Sequence, residues 1–155
     1  MSYSVRVERV ASRPIAVVRR RVALRELSRF VPEACGLVWK SVKAAQVNDA
    51  GRHVALYRDA GDGLVDAEVG VELETAFPGQ DEVVSSALPA GDAATVTHFG
   101  PYGKLGEAHL AIHDWCAAQG QALAGPNWEI YGHWVDEWNR DPSKIRTDIF
   151  YLLKS

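Results

Sequence analysis

The stretch Pro126-Asn127-Trp128-Glu129-Ile130-Tyr131-Gly132-His133-Trp134 reads as an aromatic-rich β-strand with one carboxylate at its centre. Alternate side chains of a strand point to opposite faces, so Glu129, Tyr131 and His133 share one face while Trp128, Ile130 and Trp134 share the other. The Trp/Ile/Trp face is the more apolar and is expected to be the core. Glu129 and Tyr131 then lie on a face that either meets solvent or lines a cavity. In the first case Glu129 is the solvated residue of a half-exposed strand. In the second it is an acidic floor in an aromatic pocket, suited to a cation or to proton transfer.

Outward from this strand the chain reads as strands and two long helices. Just upstream, Leu105, Ala108, Ile112, Trp115 and Cys116 recur at helical spacing from about Tyr102, and Gly120 is the residue best suited to a left-handed C-cap. Val83–Leu88 and Ala93–Phe99 precede that helix as strands. A polar loop, Asp136–Lys144, separates the central stretch from a last strand, Ile145–Leu153. The first half has the same order: strands at 4–10 and 15–22, a first helical turn or two through Leu24, Leu27, Phe30 and Val31, then a longer helix expected to begin at Pro32, where a missing N–H costs nothing. That helix carries Cys35, Val38, Trp39 and Val42 and gives out near Asn48–Gly51. Strands at 53–58 and 65–73 follow, parted by the turn-forming Asp59–Gly63. The expected fold is α+β: two β-β-α-β-β modules, about 1–79 and 80–155, with pseudo-twofold symmetry, antiparallel sheets and a groove between them.

The repeat extends to residues. Setting Tyr57 against Tyr131 aligns 53–58 with 127–132, and Glu68 then falls opposite Asp148. Trp39 and Trp115 lie near equivalent points on the two helices. In that register Ala55 takes the place of Glu129. A single acid on one side of a near-symmetric groove is hard to explain by packing, and a carboxylate placed there needs a partner. The repeat thus favours a functional Glu129, with Tyr57 and Tyr131 as walls.

Composition sets the outer limits. At 155 residues, 47% hydrophobic and 24% charged, the chain suits one globular domain with a substantial core. A net charge of -3 argues against general nucleic-acid binding. The short basic run Arg19-Arg20-Arg21, with Arg25 and Arg29, reads as a strand end running into an exposed helix face. Cys35 and Cys116 look like buried hydrophobes of a reducing compartment. With no membrane-length apolar run and no signal-peptide pattern, a cytoplasmic location is expected. His109, His113 and Cys116, at i, i+4 and i+7 of one helix, have a spacing that could hold a metal. No fourth ligand is evident, and neither a metal nor a cofactor is expected. His98 reads as a structural hydrogen-bond partner, and Trp134 and Trp138 as a loop cluster that could lid the groove.

The run Ala94-Thr95-Val96-Thr97-His98-Phe99-Gly100-Pro101-Tyr102, then Leu105, Trp115, Gly125-Pro126, Trp128-Glu129-Ile130-Tyr131 and Arg146-Thr147-Asp148-Ile149, resembles the GyrI-like small-molecule-binding domain over nearly the whole chain. The His-x-Gly-Pro-Tyr and Trp-Glu-x-Tyr motifs carry the resemblance together. It implies the tandem β-β-α-β-β fold, a pocket glutamate at Glu129 and pocket tyrosines at Tyr131 and Tyr57, with Tyr102 near the same groove. It also implies one of three roles. The first is binding of a hydrophobic compound, lipophilic cations included, between Tyr57, Tyr131, Trp39, Tyr102, Trp138 and His133, with Glu129 neutralising it. The second is hydrolysis of cyclopropane-bearing electrophiles, with Glu129 as base and Tyr131 or Tyr102 as proton donor. The third is a protein partner such as DNA gyrase. No helix-turn-helix is expected beside the domain, which sets this chain apart from the family's transcription activators.

Overall fold

A computed structural model describes residues 3–155. Along the chain come β1 (Arg6–Val10), β2 (Arg13–Ala23), α1 (Leu27–Ala44), β3 (His53–Gly61) and β4 (Leu64–Glu72). They are followed by β5 (Val83–Leu88), β6 (Gly91–Phe99), α2 (Leu105–Gln119), β7 (Leu123–Tyr131), the short α3 (Glu137–Arg140) and β8 (Arg146–Leu153). The fold is α+β, with antiparallel strand pairs and two long helices.

The chain forms two compact units. One spans Ala11–Pro89, with β2, α1, β3, β4 and β5; the other holds β1 and everything from Ala90 onward. Each is a four-stranded antiparallel sheet with one long helix. The first has the strand order β3-β4-β2-β5, and the second has β7-β8-β6-β1. The opening strand of each sequential half is therefore exchanged, since β1 pairs with β6 and β5 pairs with β2. The links explain this. Ala11-Ser12 and Pro89-Ala90 lack the Gly or Asn that a two-residue hairpin turn needs, and none of these residues has a positive φ. The turn between β3 and β4 has what they lack: Gly61, Asp62 and Gly63 all take positive φ, and the strands on either side pair with each other.

Strand registers make the internal repeat explicit. Leu56 lies across from Glu68 and Ile130 across from Asp148, so aligning Tyr57 with Tyr131 also aligns the two acids. The helices match through their buried residues, Ala34, Val38 and Val42 on α1 and Ala108, Ile112 and Cys116 on α2, each four residues apart. By this measure Trp39 corresponds to His113, two positions from Trp115, and Cys35 corresponds to His109.

Several expected boundaries move. α1 is already helical from Leu27, so Pro32 sits in its second turn instead of opening it. The carbonyl of Ser28, which Pro32 cannot bond, belongs to an exposed residue. α1 also ends earlier than expected, at Ala44. The basic run is solvent-facing and ion-paired: Arg19 and Arg58 reach Glu68, Arg20 reaches Glu82, Arg21 holds Asp66 through two bonds of 2.7 and 3.0 Å, and Arg29 reaches Glu26. Among the described residues no helix is long and apolar enough to cross a membrane.

Candidate functional site

α2 packs over β6 and β8, and the site is built where its His109 reaches across to β7. Glu129 is directly across from Ile149, and Tyr131 from Thr147. Ile149, Tyr151 and Leu153, on that same face of β8, form one apolar cluster with Ala94 and Val96 of β6 and Leu105, Ala108, Ile112 and Cys116 of α2. The face that carries Glu129 is therefore the face the helix covers, and Glu129 is only 6% exposed. This corrects the expectation that Trp128 and Ile130 alone mark the core. They are buried too, with Trp128 stacked on Phe150 at 5.4 Å, so around Glu129, from Trp128 to Ile130, β7 is buried on both faces. Alternation could reveal the two faces, but it could not reveal that both are covered.

A buried carboxylate must be paired, and Glu129 is. The Tyr131 hydroxyl donates to its Oε1 at 2.5 Å, and its Oε2 stands 2.6 Å from Nε2 of His109. The other ring nitrogen of His109, Nδ1, is 2.6 Å from the Tyr151 hydroxyl. The result is one hydrogen-bonded chain, Tyr131–Glu129–His109–Tyr151. Because a carboxylate only accepts, Nε2 of His109 carries a hydrogen. The Tyr151 hydroxyl then donates to Nδ1 of a neutral ring or accepts from a protonated one. Burial first, then the neighbouring Glu129 and Cys116, raise the Tyr151 phenol well above its ordinary range, so it keeps its proton.

The helix delivers His109 by simple periodicity. It lies four residues after Leu105 and one after Ala108, at the edge of the buried stripe, from where its ring reaches the sheet. Two members of the chain, His109 and Tyr151, are not tied to Glu129 by any sequence pattern, in which His109 reads only as a metal ligand with His113 and Cys116. His113 instead packs edge-on against Tyr151 at 4.9 Å, and Cys116 is in the core. The available signal was the helical position of His109 over the face of β7 that carries the single acid.

An aromatic run adjoins the acid. Tyr102 packs edge-on against Tyr131 at 5.6 Å, Trp134 lies 6.5 Å from Tyr102, and Trp138 packs edge-on against Trp134 at 5.4 Å. β7 ends at Tyr131, so the alternation predicted through Trp134 stops there, and Trp134 is half exposed instead of buried. Gly132 permits the fold-back. A Cβ at that position would come within 2.9 Å of the Trp138 ring and 3.1 Å of the Arg146 carbonyl oxygen. Tyr102 is held from the other side. His98 bonds the Pro101 carbonyl through Nε2 at 3.2 Å and the Tyr3 hydroxyl through Nδ1 at 2.9 Å, fixing the turn that precedes Tyr102.

Of the residues singled out from sequence, Glu129, Tyr131, Tyr102 and Trp138 come together in this one unit. His133 is in the loop after β7 and exposed. Tyr57, on β3, and Trp39, on α1, belong to the other unit. There Tyr57 is buried, and Trp39 is 45% exposed beside His53 with the Lys43 ammonium 5.6 Å from its ring centre.

The family model for the GyrI-like small molecule binding domain matches residues 3–154. No curated protein matches the sequence. Among solved structures, the C-terminal domain of EcmrR is similar at 20% identity and a TM-score of 0.81, over 100% of this chain and 99% of that one. SAV2435, solved bound to tetraphenylphosphonium, is similar at 14% identity and a TM-score of 0.67, over 100% and 95%. A hydrolase from Listeria innocua is similar at 10% identity and a TM-score of 0.60, over 97% and 91%. At these identities the likeness is one of fold.

Proposed function

This chain belongs to the GyrI-like small-molecule-binding family, whose function is small-molecule binding or sensing, and on that premise we propose that it takes a hydrophobic aromatic cation at Glu129. The observation that carries the reading is the burial of this one carboxylate beside the run Tyr131, Tyr102, Trp134 and Trp138. Aromatic faces attract a cation by about 0.5–2 kcal/mol each. They also cover the apolar body of the ligand, while the carboxylate supplies the countercharge where little water competes. The phosphonium cation bound to SAV2435, a protein of the same fold, has the chemistry this site suits. Tyr57, Trp39 and the exposed His133 are not needed by the proposal.

Glu129→Gln keeps the shape and removes the charge. Its affinity for tetraphenylphosphonium, followed by tryptophan fluorescence, should fall about 10- to 100-fold, the worth of a charge-assisted contact, while a neutral triaryl phosphine oxide binds as before. Equal losses for both ligands, or none for either, would remove the electrostatic role.

A second reading rests on His109. A carboxylate held 2.6 Å from an imidazole is also a general-base arrangement. In this reading Glu129 takes a proton from water as its oxygen bonds to a strained ring carbon. The ring C–C bond breaks, and its electron pair passes to an acceptor group on the substrate, which is then protonated from Tyr131 or Tyr102. Mass spectrometry on a cyclopropane-bearing electrophile incubated with the protein tests this: a water adduct formed by wild type and absent with Glu129→Gln marks a hydrolase.

A further inference from the structure

We infer that His109 selects the charge of the ligand: its neutral form admits a cation at Glu129, its protonated form replaces that cation, and cation binding therefore releases a proton. The inference rests on the cation-binding reading above and extends it to a residue that touches Glu129 and does not belong to the aromatic run.

The geometry argues for it in two steps. First, Glu129 and His109 are 2.6 Å apart with the carboxylate nearly out of solvent, so the ring is the nearest group able to carry a positive charge to that carboxylate. A protonated ring makes the pair neutral overall, and an arriving cation then finds no net charge. A neutral ring leaves one negative charge for the ligand. Second, His109 keeps both of its hydrogen bonds in either state. Nε2–H donates to Glu129 throughout, and Nδ1 meets a hydroxyl, Tyr151, that can donate or accept. A histidine whose second nitrogen faced a group that can only donate or only accept would lose a partner on changing charge. Here the proton can come and go without leaving a buried polar atom unpaired.

The other titratable groups around the ring are few. β7 contributes Glu129 and, through it, Tyr131; β8 contributes Tyr151, whose raised phenol stays neutral. β6 contributes His98 on the same face, already bonded to Tyr3 and Pro101. The helix itself contributes His113 and the buried Cys116. Of these only Glu129 touches His109 with a charge of its own, so the linked proton is assigned to the Glu129–His109 pair. The sign follows. A cation at Glu129 disfavours the imidazolium, so affinity rises with pH until His109 is neutral and then levels off. Below that point it falls about tenfold per pH unit, the slope of one linked proton.

The test is a titration of wild type, His109→Gln and Glu129→Gln with tetraphenylphosphonium and a neutral triaryl phosphine oxide from pH 5.5 to 8.5. The expected result is a wild-type cation affinity that falls at low pH, a flat profile in His109→Gln, weak cation binding in Glu129→Gln, and no comparable slope for the neutral probe in any of the three proteins. A wild type that binds the cation in a Glu129-dependent way but with a flat profile would overturn the role of His109 and leave the cation site standing. A His109→Gln variant that keeps the wild-type slope would do the same. Failure of wild type to bind the cation at any pH would overturn both. If His109→Gln does not fold, NMR titration of the histidine rings in wild type decides. By reciprocity, saturating tetraphenylphosphonium must lower the midpoint at which the His109 ring protonates, and an unmoved midpoint overturns the inference.

Discussion

The two units share their strand order and helix placement, yet at matched positions they differ in chemistry. Where the unit of β7 has Glu129, His109, Tyr151 and Tyr131, the unit of β3 has Ala55, Cys35, Val71 and Tyr57. Three of the four polar groups are replaced by small or apolar ones, and both units are packed. The difference teaches that this sheet-and-helix arrangement does not need the Tyr–Glu–His–Tyr chain to fold. The acid of the β7 unit is therefore not a requirement of the architecture. A second difference lies on the opposite face. Trp128 stacks on Phe150 in one unit, and the matched positions in the other are Val54 and Gly70.

The sharpest way to break the comparison is to move the acid across it. Ala55→Glu would bury a carboxylate, at a position now 0% exposed, beside Cys35 and Val71 instead of a histidine and a tyrosine. Tyr57 stands where Tyr131 does, but nothing takes the place of His109 and Tyr151 as a partner, so the charge is only half satisfied and a loss of about 3–5 kcal/mol is expected in urea unfolding. The unit does satisfy one buried acid, Glu72, on the other face of β4 with Arg13 and Arg52; a near-wild-type midpoint would mean that it can do the same at position 55. Next in size is Gly70→Ala. Its Cβ would stand 1.7 Å from the Ala16 carbonyl oxygen, a backbone atom that cannot swing away. Stability should drop by about 1–3 kcal/mol, at the upper end of that range, although the matched position in the other unit accepts a phenylalanine. Glu129→Gln sharpens the contrast from the other side. It keeps partners for Tyr131 and His109, so unfolding should shift by only about 1 kcal/mol or less, against a larger loss of cation affinity. A stability loss exceeding the affinity loss would make the polar chain structural.

The smallest effect concerns Cys35, the counterpart of His109. Burial pushes its thiol up to about 11 from an ordinary 9.0. The folded protein thus holds this proton more tightly than the unfolded chain does. Its contribution to stability is complete below about pH 9 and is lost as pH climbs toward 11. Alkylation by iodoacetamide under native conditions should stay slow through neutral pH. Fast modification at about pH 8 would show that the thiol is not sheltered as its position implies.

Much of this was legible in the residues. Alternation and helical spacing gave the element order, and the β3/β7 repeat aligned Ala55 with Glu129 because strand registers carry the two-residue period directly. Boundaries were less legible. Pro32 reads as a helix start, but exposure of its turn lets the helix run through it. Trp134 reads as a core residue, but β7 stops where Gly132 lets the chain fold under Trp138. The exchange of β1 and β5 between units was hidden, since a local sequence shows that a link is not a hairpin without showing which strand its neighbour will join.

By itself the sequence determined an α+β chain with a duplicated strand and helix pattern, an acid at Glu129 where the other half has Ala55, and the aromatic residues around it. These follow from side-chain periodicity and composition, which are local properties. Only the tertiary structure decided that both faces of β7 are buried around Glu129, that this acid is therefore obliged to find partners, and that those partners include His109 from α2 and, through it, Tyr151 from β8. His109 is 20 residues away in the chain and Tyr151 lies 42 residues beyond it. No periodicity links such positions; packing a helix on a sheet brings them within hydrogen-bonding distance.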